Sequence, residues 1–223
     1  VSGIFAVPGM EGMPMELYRS RVAGQVQNFD SSAYFDAAQA ERLDRHAQFG
    51  LVAAREAVTD AGLRMDREAP HRGGVIVGAG MGAMTMGERE LTRLFLERKP
   101  NRVPPGFIPA ITLNSASGLI AVAHGAKGPN LTISTACSSG AHAIGHAFTL
   151  IRTEQADAVV VVGADASLTP LAFAGFCSLR ALSTKYNDDP PRASRPFDRG
   201  RDGFVMGEGA AALILEALPR AEA

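Results

Sequence analysis

The run "ADAVVVVGAD" at 156–165 constrains the fold more than any other stretch of the chain. A strand that alternates polar and apolar residues has one wet face, whereas one that is apolar throughout is covered on both. Such a strand belongs in the middle of a sheet with helices on each side. Its surroundings agree, since strand patterns at 74–77, 129–135 and 211–217 alternate with helical patterns at 39–61, 87–99, 109–126, 138–155 and 170–177. Residues 1–36 read as loop, broken by Pro8, Gly9, Gly12 and Pro14. The alternation predicts a layered α/β domain.

Composition narrows the function classes. With 223 residues, 46% of them apolar, the chain can bury one sizeable core. A net charge of −1 offers no excess to draw a nucleic acid or a membrane surface. The 24 glycines imply tight turns and close backbone approaches. The apolar runs are too short to cross a bilayer, and no basic-then-apolar leader opens the sequence. Two cysteines, Cys137 and Cys177, make no disulfide framework, so a reducing, cytoplasmic setting is expected. Both ends, "VSGIFAVPGMEGMP" and "LILEALPRAEA", read as cut from a longer chain.

Cys137 stands in "LTISTACSSGAH", where a β-branched run gives way to a helical one. A thiol at that junction faces the unpaired amides and positive end of the helix dipole, which favour negative charge on sulfur. The same amides can hold an oxyanion formed when a thioester is attacked. Position alone leaves two readings open, a nucleophile or a small apolar residue. Cys177, in "GFCSL", has no such placement and reads as packing.

The segment "GPNLTISTACSSGAHAIGHA" resembles the active-site stretch of the β-ketoacyl-acyl carrier protein synthases, the condensing enzymes of fatty acid and polyketide synthesis. The resemblance continues through "GVIVGAGMG", "ADAVVVVGADASLTPL" and "GFCSLRALSTKYNDDPPRASRPFDRGRDGFVMGEGAAALILE", and is nearest the elongating, type II-like branch. It implies a three-layer α/β/α thiolase-like half with a mixed five-stranded sheet. Residues 1–223 would be the N-terminal domain, its first strand and the C-terminal half lying outside this sequence. It implies that Cys137 takes an acyl group from the phosphopantetheine of acyl carrier protein, with no other cofactor. A malonyl thioester then loses carbon dioxide, and its carbanion attacks the acyl-cysteine. The two histidines and the lysine that assist come from the half not present. A homodimer or related heterodimer is expected.

The same resemblance assigns further residues. Met81 falls where side-chain bulk limits acyl length, Phe176 where the acyl channel passes the cysteine, and Phe204 at the border of the pocket. Met81 and Phe176 are also readable as core. Arg42, Arg102 and Arg180 match the places where the family docks an acidic carrier protein, although exposed charges are usually only solvated.

Other motifs carry less. "GAGMGA" at 78–83 fits a dinucleotide fingerprint, but Glu97 lies in a helix and not after a second strand. His142 and His146 have metal-ligand spacing without a third ligand, and read as helix packing. "DRGRDGFVMGEG" opens like a calcium loop but has glycine at its third and twelfth places. It is read as structural, with Asp198, Arg199 and Asp202 pinning the loop. The rival assignments are a thiolase acting on coenzyme A thioesters and a non-catalytic chain-length-type partner. The run "RALSTKYNDDPPRASRPFD" resembles the synthase branch, and the presence of Cys137 argues against the partner.

Overall fold

The computed structural model describes residues 2–3, 10, 13–65 and 69–222. In chain order these give β1 (Ser2–Gly3), β2 (Val22–Gly24), α1 (Ala37–Arg42), α2 (Arg45–Asp60), β3 (Gly73–Gly78), α3 (Met84–Glu97), α4 (Phe107–Ile111), α5 (Ser115–His124) and β4 (Asn130–Ile133). After them come α6 (Ser139–Arg152), β5 (Ala158–Asp165), α7 (Pro170–Ser178), β6 (Met206–Gly207), β7 (Gly209–Glu216) and α8 (Leu218–Ala221).

The main sheet runs β4-β3-β5-β7. β3 is parallel to both β4 and β5, and β7 is antiparallel to β5. The apolar run is thus a central strand. Val160 and Val162 share one cluster with Ala47 and Ala54 of α2 and Ile120 of α5. Val159 and Val161 share another with Ala143, Ala147 and Leu150 of α6. Alternate residues of one strand therefore serve opposite helical layers, which makes the order α/β/α.

The sequence expectations are corrected in three places, and the strand count is as expected for a chain without the first strand. The main sheet has four strands among the described residues: β5 pairs on both sides, whereas β7 pairs only with β5. The stretch read as loop at 1–36 holds β1 and β2, which build a separate small sheet with β6. Its backbone pairing needs no apolar periodicity, so no pattern announces it. The helix expected at 39–61 is two. Asp36 caps α1 through a capping box with Gln39, Leu43 is extended, and Asp44 caps α2. The helix expected at 109–126 also divides, into α4 and α5, with Thr112 extended between them.

Two glycines fix how closely the layers meet. A Cβ on Gly78, at the end of β3, would lie 2.4 Å from the Ser139 carbonyl carbon and oxygen. The first turn of α6 therefore rests directly on the strand. Gly203, at φ +153°, would place a Cβ 2.4 Å from the Leu182 carbonyl carbon. The neighbouring Asp202 carboxylate accepts from Ser183 Oγ at 2.7 Å and from the amides of Thr184 and Lys185 at 2.8 Å each. Partial burial pushes this carboxyl up, and those hydrogen bonds outweigh it, leaving it below the ordinary 3.8.

Two outcomes are expected in urea unfolding. Gly78→Ala should lose about 1–3 kcal/mol or more through overpacking, while Gly145→Ala, whose Cβ would meet nothing within 4 Å, should be neutral or stabilising. Equal midpoints for the two would mean that α6 does not bear on β3. Because the Asp202 carboxyl is lowered on folding, its contribution is present above pH 3.8 and is lost as pH falls through the folded-state value. Asp202→Asn should therefore destabilise at neutral pH and show a flatter acid limb. An acid limb identical to that of the parent would contradict this.

Candidate active site

β4 ends at Ile133, and four residues separate it from the N-cap of α6, Ser138. In that span Ala136 adopts φ +54°, the left-handed region that costs a residue with a Cβ roughly 1–2 kcal/mol. Cys137 follows it and is exposed. The thiol is thus presented outward from a strained turn, one residue before the helix N-cap, as the strand-to-helix reading of the sequence expected.

Hydroxyl groups tie the turn together. The Thr135 amide donates to Ser139 Oγ at 2.9 Å, and Ser139 Oγ donates to the Ala136 carbonyl at 2.6 Å. Ser138 Oγ donates to the Thr135 carbonyl at 2.8 Å. Thr135 Oγ1 lies 2.7 Å from His142 Nδ1. His142 is therefore not the helix-packing residue expected from its spacing. It is exposed and bonded to the turn that carries Cys137. Ser139 and Gly140 lie against the sheet. Ser139 is 3% exposed, and a Cβ on Gly140 would meet Cα of Gly163 on β5 at 3.8 Å.

Met81 belongs to the loop after β3, which lies against this turn. Ser134 Oγ donates to the Gly80 carbonyl at 3.4 Å. The amides of Gly80 and Met81 donate to the two carboxylate oxygens of Asp165 at 2.7 and 3.1 Å. A carboxylate already occupies the donors that a dinucleotide phosphate would need, which removes the fingerprint reading of "GAGMGA". Nothing in the sequence ties Asp165, 85 residues on, to this loop. Parallel pairing of β3 and β5 brings their ends together.

Phe176 and Phe204 meet, with ring centroids 5.6 Å apart and planes at 86°. Phe176 is half-buried against a cluster containing Phe173, Leu168 and Cys177, and Phe204 is 46% exposed. Cys177 is buried, the packing role its context suggested. The three arginines stand on separate segments. Arg42 ends α1, Arg102 pairs with Glu97 at 3.2 Å, and Arg180 follows α7 at φ +56°. A cleft lined by Tyr34, Leu51, Leu119 and Val122 takes in Arg42 and not Cys137. Of the expected loop-pinning set, Asp202 holds 183–185, and Asp198 accepts from the Gly200 amide at 2.6 Å.

Comparison with known proteins agrees with this geometry. The model of the β-ketoacyl synthase N-terminal domain matches residues 2–221. A 3-oxoacyl-[acyl-carrier-protein] synthase 2 of Synechocystis is 45% identical over 201 residues, covering 90% of this chain and 48% of that protein. The enzyme of the same name from Staphylococcus aureus is 41% identical over 223 residues, covering 100% of this chain and 55% of that protein. The chain spans about half the length of the curated relatives it matches. Among solved structures, a β-ketoacyl synthase from Burkholderia phymatum superposes with a TM-score of 0.79 at 28% identity, over 92% of this chain and 50% of that one. A type II polyketide ketosynthase in complex with its acyl carrier protein gives 0.80 at 32% identity, over 96% and 50%. An exposed cysteine on a strained strand-to-helix turn, inside a four-stranded mixed sheet layered by helices, thus coincides with one family's sequence along almost the whole chain: it belongs to the β-ketoacyl synthases, through their N-terminal domain.

Proposed function

We propose that the protein carrying this chain elongates acyl groups by decarboxylative condensation, with Cys137 as the acyl acceptor. The exposed sulfur after the left-handed Ala136, at the amide end of α6, is the observation that carries this reading. The Cys137 thiolate attacks an acyl thioester on the phosphopantetheine of acyl carrier protein. The carbonyl oxygen takes the negative charge, and the pantetheine thiolate leaves as the acyl-cysteine forms. Malonyl-acyl carrier protein then releases carbon dioxide, and its carbanion attacks the acyl-cysteine. The cysteine thiolate leaves and the β-ketoacyl thioester is formed. The residues that drive decarboxylation belong to the half of the relatives this chain does not span.

The remaining assignments follow the same reading. Residues 1–223 form the N-terminal thiolase-like domain, whose fifth strand adds along the outer edge of β7, where Leu213 is 52% exposed. Met81, Phe176 and Phe204 border the acyl channel. The loop–turn contact at Gly80 supports Met81, and the ring pair supports the two phenylalanines. Arg180, Arg102 and Arg42 receive the acidic carrier protein. A second, identical or related subunit lies on the β4 side, supported by exposed Leu131 on β4 and Val122 on α5. Among the described residues no helix is long and apolar enough to cross a membrane, and the site of action is the cytoplasm.

Incubation with an acyl-pantetheine thioester followed by peptide mass mapping tests the central assignment. The acyl mass should appear on Cys137, vanish in Cys137→Ala and persist in Cys177→Ala. Absence of label from Cys137 would leave a non-catalytic partner subunit as the alternative. Arg180→Glu should raise the KM for carrier protein while leaving turnover of short thioester mimics near the parent's. Equal losses with both substrates would argue against docking at Arg180.

A further inference from the structure

We propose that Ser139 is the positioning residue of the Cys137 thiol, linking the Thr135 amide to the Ala136 carbonyl across the turn so that the sulfur leaves it in one direction. The inference rests on Cys137 being the acyl acceptor. Two serines open α6, and the ordinary use of a hydroxyl there is to cap the first-turn amides. Neither does so. The N-cap, Ser138, makes no side-chain capping bond, and its hydroxyl points back to the Thr135 carbonyl at 2.8 Å. Ser139, 3% exposed, also reaches backward. It accepts from the Thr135 amide at 2.9 Å and donates to the Ala136 carbonyl at 2.6 Å.

This arrangement has two consequences at the sulfur. The carbonyl of the left-handed residue and the amide of the residue before it are tied by one buried side chain, so the strained conformation has no easy route to relax, and Cys137 inherits a fixed direction. The Ser139 amide donates to the Ala136 carbonyl at 3.1 Å, but the next two amides of α6, those of Gly140 and Ala141, receive no serine oxygen and remain available to the oxyanion of an attacked thioester. Thr135 is held a further time through His142, at 2.7 Å. The sequence "CSSG" shows two serines that could equally cap the helix, and only the hydrogen-bond directions separate the roles.

Ser139→Thr and Ser139→Val, alike in shape and differing in the hydroxyl, test this in the protein that carries the chain. Two rates are followed on Cys137 by intact mass. One is acyl transfer from an acyl-pantetheine thioester, which demands a directed attack. The other is alkylation by iodoacetamide, which an exposed thiol undergoes from many approaches. Ser139→Val should slow acyl transfer by about ten- to a hundredfold while alkylation changes by less than about twofold, and Ser139→Thr should stay within about threefold of the parent in both. Acyl transfer by Ser139→Val at the parental rate overturns the positioning role. So does an equal fall in both reactions, or a threonine variant no better than valine. A parent protein that takes no acyl group on Cys137 overturns the acceptor reading and this inference with it, and is told apart by failing before any substitution is made.

Discussion

The contact between the first turn of α6 and the end of β3 is the constraint from which the rest of the site follows. At Gly78 the strand backbone and the Ser139 carbonyl are so close that a single methyl group would overlap them. On the neighbouring strand Gly163 lies beside Gly140, where a Cβ on either would meet the other's Cα at 3.7–3.8 Å, an ordinary contact. Helix and sheet therefore meet backbone to backbone at one end, while Ala143, Ala147 and Leu150 fill the interface farther along. A helix seated on large side chains can slide as those side chains change rotamer. One seated on backbone cannot, because close-packed main chain has nowhere to move. The position of Cys137 relative to the sheet is set by that seat.

The layered architecture was legible in the sequence for a physical reason. Burial on both faces removes the polar alternation, and "AVVVV" displays this over a single stretch. The helix N-terminus after Cys137 was legible because a β-branched run must end before small residues can begin a helix. The breaks at Leu43 and Thr112 were not, since an extended residue inside a helical apolar period leaves the period intact. The small sheet of β1, β2 and β6 was equally hidden. Its strands have two or three residues each and are joined by backbone pairing between segments far apart in the chain. Asp165 was hidden for a similar reason: its partners, the Gly80 and Met81 amides, become neighbours only once β3 and β5 pair.

Residue type pointed to the two histidines and the structure separated them. His142 and His146 share one helical spacing, and the obvious chemistry of such a pair is metal binding. His142 instead spends Nδ1 on Thr135 Oγ1. The serines divide from expectation in the same way, because side-chain identity records which hydrogen bonds are available and not which are made. Around Cys137 the local sequence names the participants, and the tertiary contact at Gly78 decides which way each one points.

Magnitudes explain why a strained turn persists there. Ala136 in the left-handed region costs roughly 1–2 kcal/mol. Against this stand the hydrogen bonds from Ser138, Ser139 and the Thr135 amide. Bonds of this kind contribute about 0.5–1.5 kcal/mol each, so together they match or exceed the strain. Glycine at 136 would relieve the cost without them, but a residue with freedom on both sides of φ would also let the following sulfur swing. A strained alanine held by hydroxyls gives one conformation where a relaxed glycine would give several. The acyl-acceptor role proposed for Cys137 asks the sulfur to meet a carbonyl carbon along one line of approach, and for that a single conformation is worth more to the rate than the same energy spent on stability.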